Sequence, residues 1–171
     1  MTTREKRWKL GAFAATVLMV LAIAQVGSYL VHTRLALHDT YVVSSFLHFT
    51  HIRNTGAVFG LFPGNTTLFA VTSTLTILAV CVYLLKNLQL HLYQYVCFGF
   101  IVGAAASNTC DRLLYGAVID FIDVQGVPYW HYIFNIADTA IHIGAWPLVI
   151  GTMLWPSSER GAAPTETARA E

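Results

Sequence analysis

Asp111, Arg112, Asp120, Asp123 and Asp138 stand close together at the ends of two apolar runs in a chain that is otherwise poor in charge. Ionisable groups at membrane depth are expensive and usually mark function. Asp120 and Asp138 are the pair with chemical potential. They lie 18 residues apart, and Gly126 and Pro128 supply a reversal of the chain between them. Two carboxylates brought together cannot both ionise cheaply, so they share a proton; one can then act as general base on a water while the other protonates a departing amine. That is the minimum equipment for hydrolysing a peptide without a metal or a covalent nucleophile.

Each of these residues also has a structural reading. Asp120 sits in Val118-Ile-Asp-Phe-Ile-Asp, an alternating, strand-like piece in which Asp120 and Phe121 point to opposite faces, and taken alone it fits a surface carboxylate. Asn135 and Asp138 are spaced i, i+3 just before the run Thr139-Ala-Ile-His-Ile-Gly-Ala-Trp, which is the pattern of a helix capping box. Asn108, Asp111 and Arg112, at i, i+3 and i+4, share one helix face, so Asp111 can pair with or be oriented by its neighbours. The same trio fits an interfacial helix end with a snorkelling arginine. Other chemistries have thinner support, since neither Gly-x-Ser-x-Gly nor His-Glu-x-x-His occurs. His48 and His51 point to opposite faces of a strand and read as structural, and His142, one turn beyond Asp138, reads as a packed core histidine. Cys81, Cys97 and Cys110 are an odd number in or beside apolar runs and read as packing residues. No metal and no cofactor are expected.

The elements that must position these groups follow from composition. Of 171 residues, 56% are hydrophobic and 11% charged, against about a quarter charged in soluble domains. Apolar runs cover roughly 10–31, 66–85, 93–110 and 133–155. A spanning helix needs about 20 such residues, so the chain reads as an all-α polytopic membrane protein, with four transmembrane helices in a single domain over 1–155. The basic start followed by an apolar run also describes a secretory signal, but Leu10 to Val31 is too long and no small-x-small site follows, so it reads as a mature helix. Between the first two helices, Tyr41-Val-Val and Phe46 to Ile52 read as strand, punctuated by turns at Asn54-Thr-Gly and Pro63-Gly-Asn. Arg4, Lys6, Arg7, Lys9, Lys86 and Arg160 place both termini and the 86–92 turn in the cytoplasm, with 33–65 and 113–132 on the opposite side. Trp8, Trp130 and Trp155 fall near the interfaces, and the polar tail 156–171 reads as disordered. A net charge of +1 with scattered basic residues excludes a nucleic-acid footprint. The acids lie at one membrane edge and no internal duplication is evident, which argues against a proton-linked transporter or channel.

Arg53-Asn-Thr-Gly-Ala-Val-Phe-Gly, Asn108-Thr-Cys-Asp-Arg, Val118-Ile-Asp-Phe and Phe134-Asn-Ile-Ala-Asp-Thr, in this order, resemble the motifs of the bacterial lipoprotein signal peptidases, the signal peptidase II family. The resemblance covers roughly residues 10–155. It implies a four-helix aspartic endopeptidase of the bacterial cytoplasmic (inner) membrane, with a small periplasmic β-cradle and an extracytoplasmic loop. It further implies Asp120 and Asp138 as the catalytic pair, with Asn54, Gly56, Asn108, Asp111, Arg112, Asn135 and Gln25 binding substrate or supporting that pair. The implied substrate is a diacylglyceryl-modified prolipoprotein cut just before its lipid-bearing cysteine. Membrane lipid and a cyclic peptide inhibitor are the other implied ligands, and the unit is expected to be a monomer. Two departures stand out. The family's first helix carries Asp-Gln-x-Ser/Thr-Lys where this chain has Ala24-Gln-Val-Gly-Ser, keeping Gln25 alone, and Ser107 replaces the glycine before the third-motif asparagine. A divergent, non-proteolytic relative that binds lipoprotein precursors or a peptidase inhibitor is the second reading that these departures motivate.

Overall fold

The computed structural model describes residues 2–56, 61–87 and 89–154. Ala57 to Gly60 of the first motif, Trp155, Arg160 and the tail 156–171 lie outside the described residues. In chain order the elements are α1 (Thr3–Arg34), β1 (Thr40–Val42), β2 (Leu47–Asn54), α2 (Thr66–Lys86), α3 (Leu92–Tyr115), β3 (Val118–Val124), β4 (Ile133–Phe134) and α4 (Ile136–Leu154).

The helices start and stop where local chemistry permits. α1 begins earlier than its apolar run because Thr2 caps it, accepting from the Glu5 amide at 3.2 Å, and Lys9 pairs with Glu5 one turn on. α3 continues past the apolar run to Tyr115 and ends at Gly116, whose φ of 75° is the left-handed conformation that glycine adopts without strain. The residues before α4 do not join it: Ile133 and Phe134 pair with Asp123 and Ile122 as β4.

Helix α3 is the centre of the bundle and packs against α1, α2 and α4. α1 presents Thr16, Val20, Ala24, Ser28 and Val31, spaced by four and three, as its buried stripe. A Cβ on Gly103 would lie 2.8 Å from the Val17 carbonyl, so this glycine lets the α1 and α3 backbones touch. Among the described residues, two helices, α1 and α2, are long and apolar enough to cross a membrane. α3 is interrupted by the polar groups of its second half, and the apolar part of α4 is shorter, Ile136–Gly151.

One antiparallel sheet, ordered β1-β2-β3-β4, caps the bundle. Ile119 and Phe121 of β3 are buried with Val31 of α1, and Phe49 meets Phe121 edge to face at 5.8 Å. The β2–β3 register sets Ile52 opposite Asp120 and Asn54 opposite Val118, with an irregularity between Phe49 and Ile52. His51, read as structural, is buried with its Nδ1 2.9 Å from the Leu35 carbonyl oxygen.

Candidate active site

With Ile119 and Phe121 turned into the core, strand alternation sends Asp120 to the opposite face, yet it is only 4% exposed. The surface-carboxylate reading therefore fails, because the β2 end and the start of α4 cover that face. Asn54 donates its Nδ2 to Asp120 Oδ2 at 3.0 Å, and Asn135 donates its Nδ2 to Asp120 Oδ1 at 2.7 Å.

Asp138 belongs to the capping box that the spacing suggested. Its Oδ2 accepts from the Asn135 amide at 3.1 Å, while its own amide donates to Asn135 Oδ1 at 3.0 Å. Its other oxygen accepts from Asn108 Nδ2 at 3.2 Å, and Asn108 Oδ1 accepts from Asn135 Nδ2 at 3.3 Å. Capping and convergence are thus one arrangement: Asn135, 2% exposed, grips Asp138 through its backbone and amide oxygen and Asp120 through its amide nitrogen. Burial, reinforced by the negative charge of Asp138, pushes the Asp120 carboxyl up to about 7 against the two amide donors that favour its anion. The two carboxyls therefore titrate as a coupled pair.

Arg112 and Gly56 form the wall of this site. Arg112 donates Nη2 to the Gly56 carbonyl at 3.0 Å and Nη1 to the Asn108 carbonyl at 3.2 Å, and its guanidinium lies 5.7 Å from the Phe69 ring centre. Gly56 in turn donates its amide to Asn54 Oδ1 at 2.9 Å. Arg112 Nε is buried and has no partner among the described residues. A cavity of about 320 Å³ opens onto Asp120, lined also by Arg53, Asn54, Gly56, Tyr132 and Ile133.

Asp111 and Gln25 are elsewhere. The trio on α3 does not act from one face: Asn108 and Arg112, four residues apart, turn to the carboxylate pair, whereas Asp111 turns to α1 together with Ser107. Asp111, 1% exposed, accepts from Gln25 Nε2 at 2.7 Å, Ser28 Oγ at 2.9 Å and the Ile119 amide at 3.0 Å. Gln25 Nε2 also reaches the Ser107 carbonyl and hydroxyl, both at 3.1 Å. These contacts tie α1, α3 and β3 together behind the site. Ser28 and Ser107, the departures from the family pattern, thus both carry hydrogen bonds, and Ala24 packs with Val20, Ala104, Ala137 and Ala140. Sequence reasoning assigned no role to the two serines, although their i, i+3 spacing from Gln25 and i, i+4 spacing to Asp111 was a usable signal. His142 is not a core histidine: it lies on an exposed face of α4, its Nδ1 2.8 Å from the Asp138 carbonyl oxygen.

The arrangement matches known proteins over nearly its whole length. The family profile described as Signal peptidase (SPase) II matches residues 16–154. A lipoprotein signal peptidase of Staphylococcus aureus (strain JH9) is 30% identical over 156 residues, covering 91% of this chain and 96% of the relative. A bacterial membrane enzyme solved by the in meso method at 2.3 Å superposes with a TM-score of 0.78 at 30% identity, covering 94% of this chain and 95% of that one. A second such enzyme, solved at 1.9 Å, gives 0.75 at 31% identity over 84% of this chain and 93% of its own. With the profile spanning the bundle, the sheet and both carboxylates of the site, the chain belongs to the signal peptidase II family.

Proposed function

We propose that this protein is an aspartic endopeptidase that removes signal peptides from diacylglyceryl-modified prolipoproteins, cutting just before the lipidated cysteine. The observation that carries this reading is the shared grip of Asn135 on Asp120 and Asp138, two carboxylates that strand β3 and the first turn of α4 bring together. Asp138, in the first turn of α4, receives backbone and helix-dipole stabilisation of its negative charge and serves as the base. It takes a proton from water as the oxygen attacks the scissile carbonyl carbon. Asp120 holds the dyad's proton and delivers it to the amine nitrogen as the C–N bond breaks. The signal peptide leaves with a new carboxyl group and the lipidated cysteine with a free amine.

The precursor's acyl chains and apolar signal segment fit among the helices, which cross the bacterial inner membrane four times with both termini in the cytoplasm. Arg4, Lys6, Arg7 and Lys9 at the start of α1 and Lys86 at the end of α2 support that orientation. The unit is a monomer in this reading, and a cyclic peptide inhibitor would occupy the 320 Å³ cavity at Asp120. The test is cleavage of a diacylglyceryl-modified prolipoprotein by purified protein in detergent. Wild type is expected to cut while Asp120→Asn and Asp138→Asn do not. Folded wild type that binds the precursor without cutting it would favour the non-proteolytic relative.

A further inference from the structure

His32, in the last turn of α1, and His51 of β2 meet edge to face with ring centres 5.8 Å apart, and the ring of Tyr115, at the end of α3, lies 4.4 Å from His32. The chemistry proposed for Asp120 and Asp138 uses neither histidine. The tautomer of His51 is set by its neighbour. The Leu35 carbonyl oxygen, 2.9 Å from Nδ1, can only accept, so Nδ1 carries the hydrogen and Nε2 of the neutral ring is a lone pair. That Nε2 is buried with no hydrogen-bond partner among the described residues, and so is Nδ1 of His32. A buried acceptor without a donor is costly. An imidazole that donates its other N–H to a backbone carbonyl is also the arrangement of a metal-ligating histidine, because that hydrogen bond orients the ring and raises its basicity.

Distance, coordination number and charge together select the ion. An ion about 2 Å from one nitrogen of each ring lets the ring centres lie up to about 6.5 Å apart, and the observed separation falls inside that limit. Among the described residues no group of three or more His, Cys, Asp and Glu side chains gathers around a metal position. Both nitrogens are buried, so water does not complete the tetrahedron that zinc requires. A monovalent d10 ion such as Cu⁺ accepts two nitrogen ligands in an open, near-linear arrangement, and imidazole is a copper ligand. Arg53 on β2 adds positive charge near His32, opposed by Asp111 on α3, and this penalises a divalent ion more than a monovalent one. His32 is half-buried, which gives the ion a way in past its outer edge.

We infer that His32 Nδ1 and His51 Nε2 together bind one Cu⁺ ion, which ties the end of α1 to β2, the strand that ends at Asn54. The inference goes beyond the peptidase reading and stands or falls without it. The experiment titrates full-length protein in detergent with Cu⁺ under ascorbate, against a chromophoric Cu⁺ chelator, and records the copper X-ray absorption of the product. Wild type is expected to take up one Cu⁺ per chain with two nitrogen ligands at about 2 Å, and to melt several degrees higher with the ion than without it. His32→Ala and His51→Ala are each expected to weaken binding by about a hundredfold or more, since losing even an outer partner of a ligating histidine costs 10- to 100-fold. A variant with serine at Cys81, Cys97 and Cys110 is expected to bind like wild type. The absorption spectrum of wild type decides the ligands even where a histidine variant does not fold. Sulfur ligands in that spectrum, no uptake by folded wild type, or affinity unchanged in both histidine variants would overturn the site. Equal stabilisation by Zn²⁺ would overturn its assignment to a monovalent ion.

Discussion

Two aspartate clusters lie near each other in this protein and are built differently. Around Asp111 three donors from three elements converge on one carboxylate, with no second acid among them. Around Asp120 and Asp138, two acids divide the amides of Asn54, Asn108 and Asn135, and a cavity reaches Asp120. A single buried acid with enough donors is a structural joint, because removing it leaves donors unpaired. Two acids that repel each other's charge beside an open cavity are what the proposed peptidase chemistry needs, and their mutual repulsion works against the fold. Residue type is the same in both places, and Asp111 and Asp120 are both buried. The number of acids per set of donors is what separates them.

Substitution should therefore divide the two clusters by readout. Asp120→Asn and Asp138→Asn are expected to lower turnover by about 10³-fold or more while leaving a folded protein, measured by precursor cleavage beside thermal unfolding in the same detergent. Asp111→Ala is expected to act in the opposite sense, costing about 3 kcal/mol of stability by orphaning Gln25, Ser28 and the Ile119 amide. A stable Asp111→Ala protein with normal melting would break the comparison.

Asn135 belongs to both descriptions, as cap and as clamp. Asn135→Ala should cost about 1 kcal/mol through the lost cap and lower kcat by about a hundredfold, because Asp120 loses its shortest donor. A loss confined to KM would show that Asn135 holds substrate instead of the dyad.

Asp120 also gives the comparison a pH signature. Its folded pKa, about 7, exceeds the ordinary carboxylate value, so between about pH 4 and 7 the native state keeps a proton that the unfolded chain has released. Its contribution to stability is therefore fully present below pH 4 and is lost as pH rises through 7. The melting temperature of Asp120→Asn relative to wild type should climb from pH 5 to pH 8. As the proposed acid, Asp120 should also place the alkaline limb of kcat/KM near pH 7. Ser28→Ala is the smallest expected effect, about 1 kcal/mol, with no change in either pH profile.

Much of the local plan was readable from spacing. The capping box at Asn135 and Asp138, the strands around Tyr41 and Phe46 and the alternation at Asp120 all follow from contacts within a few residues. The runs around residues 93–110 and 133–155 were read as uniform helix, but α3 runs on to Tyr115 while Ile133 and Phe134 leave for the sheet. Hydropathy does not register a hydrogen-bonding partner supplied from far along the chain.

Sequence alone determined which residues are polar in an apolar chain and their order, and the family motifs pointed to Asp120 and Asp138. It could not divide the α3 trio, because an i, i+3, i+4 set spans an arc wide enough to meet two neighbours. Packing α1 against α3 claimed Asp111, and the start of α4 claimed Asn108. Nor could spacing bring residues 54, 108, 120, 135 and 138 to one point. That depended on the β2–β3 register and on glycine-mediated approach of the helices, both set by contacts between distant segments.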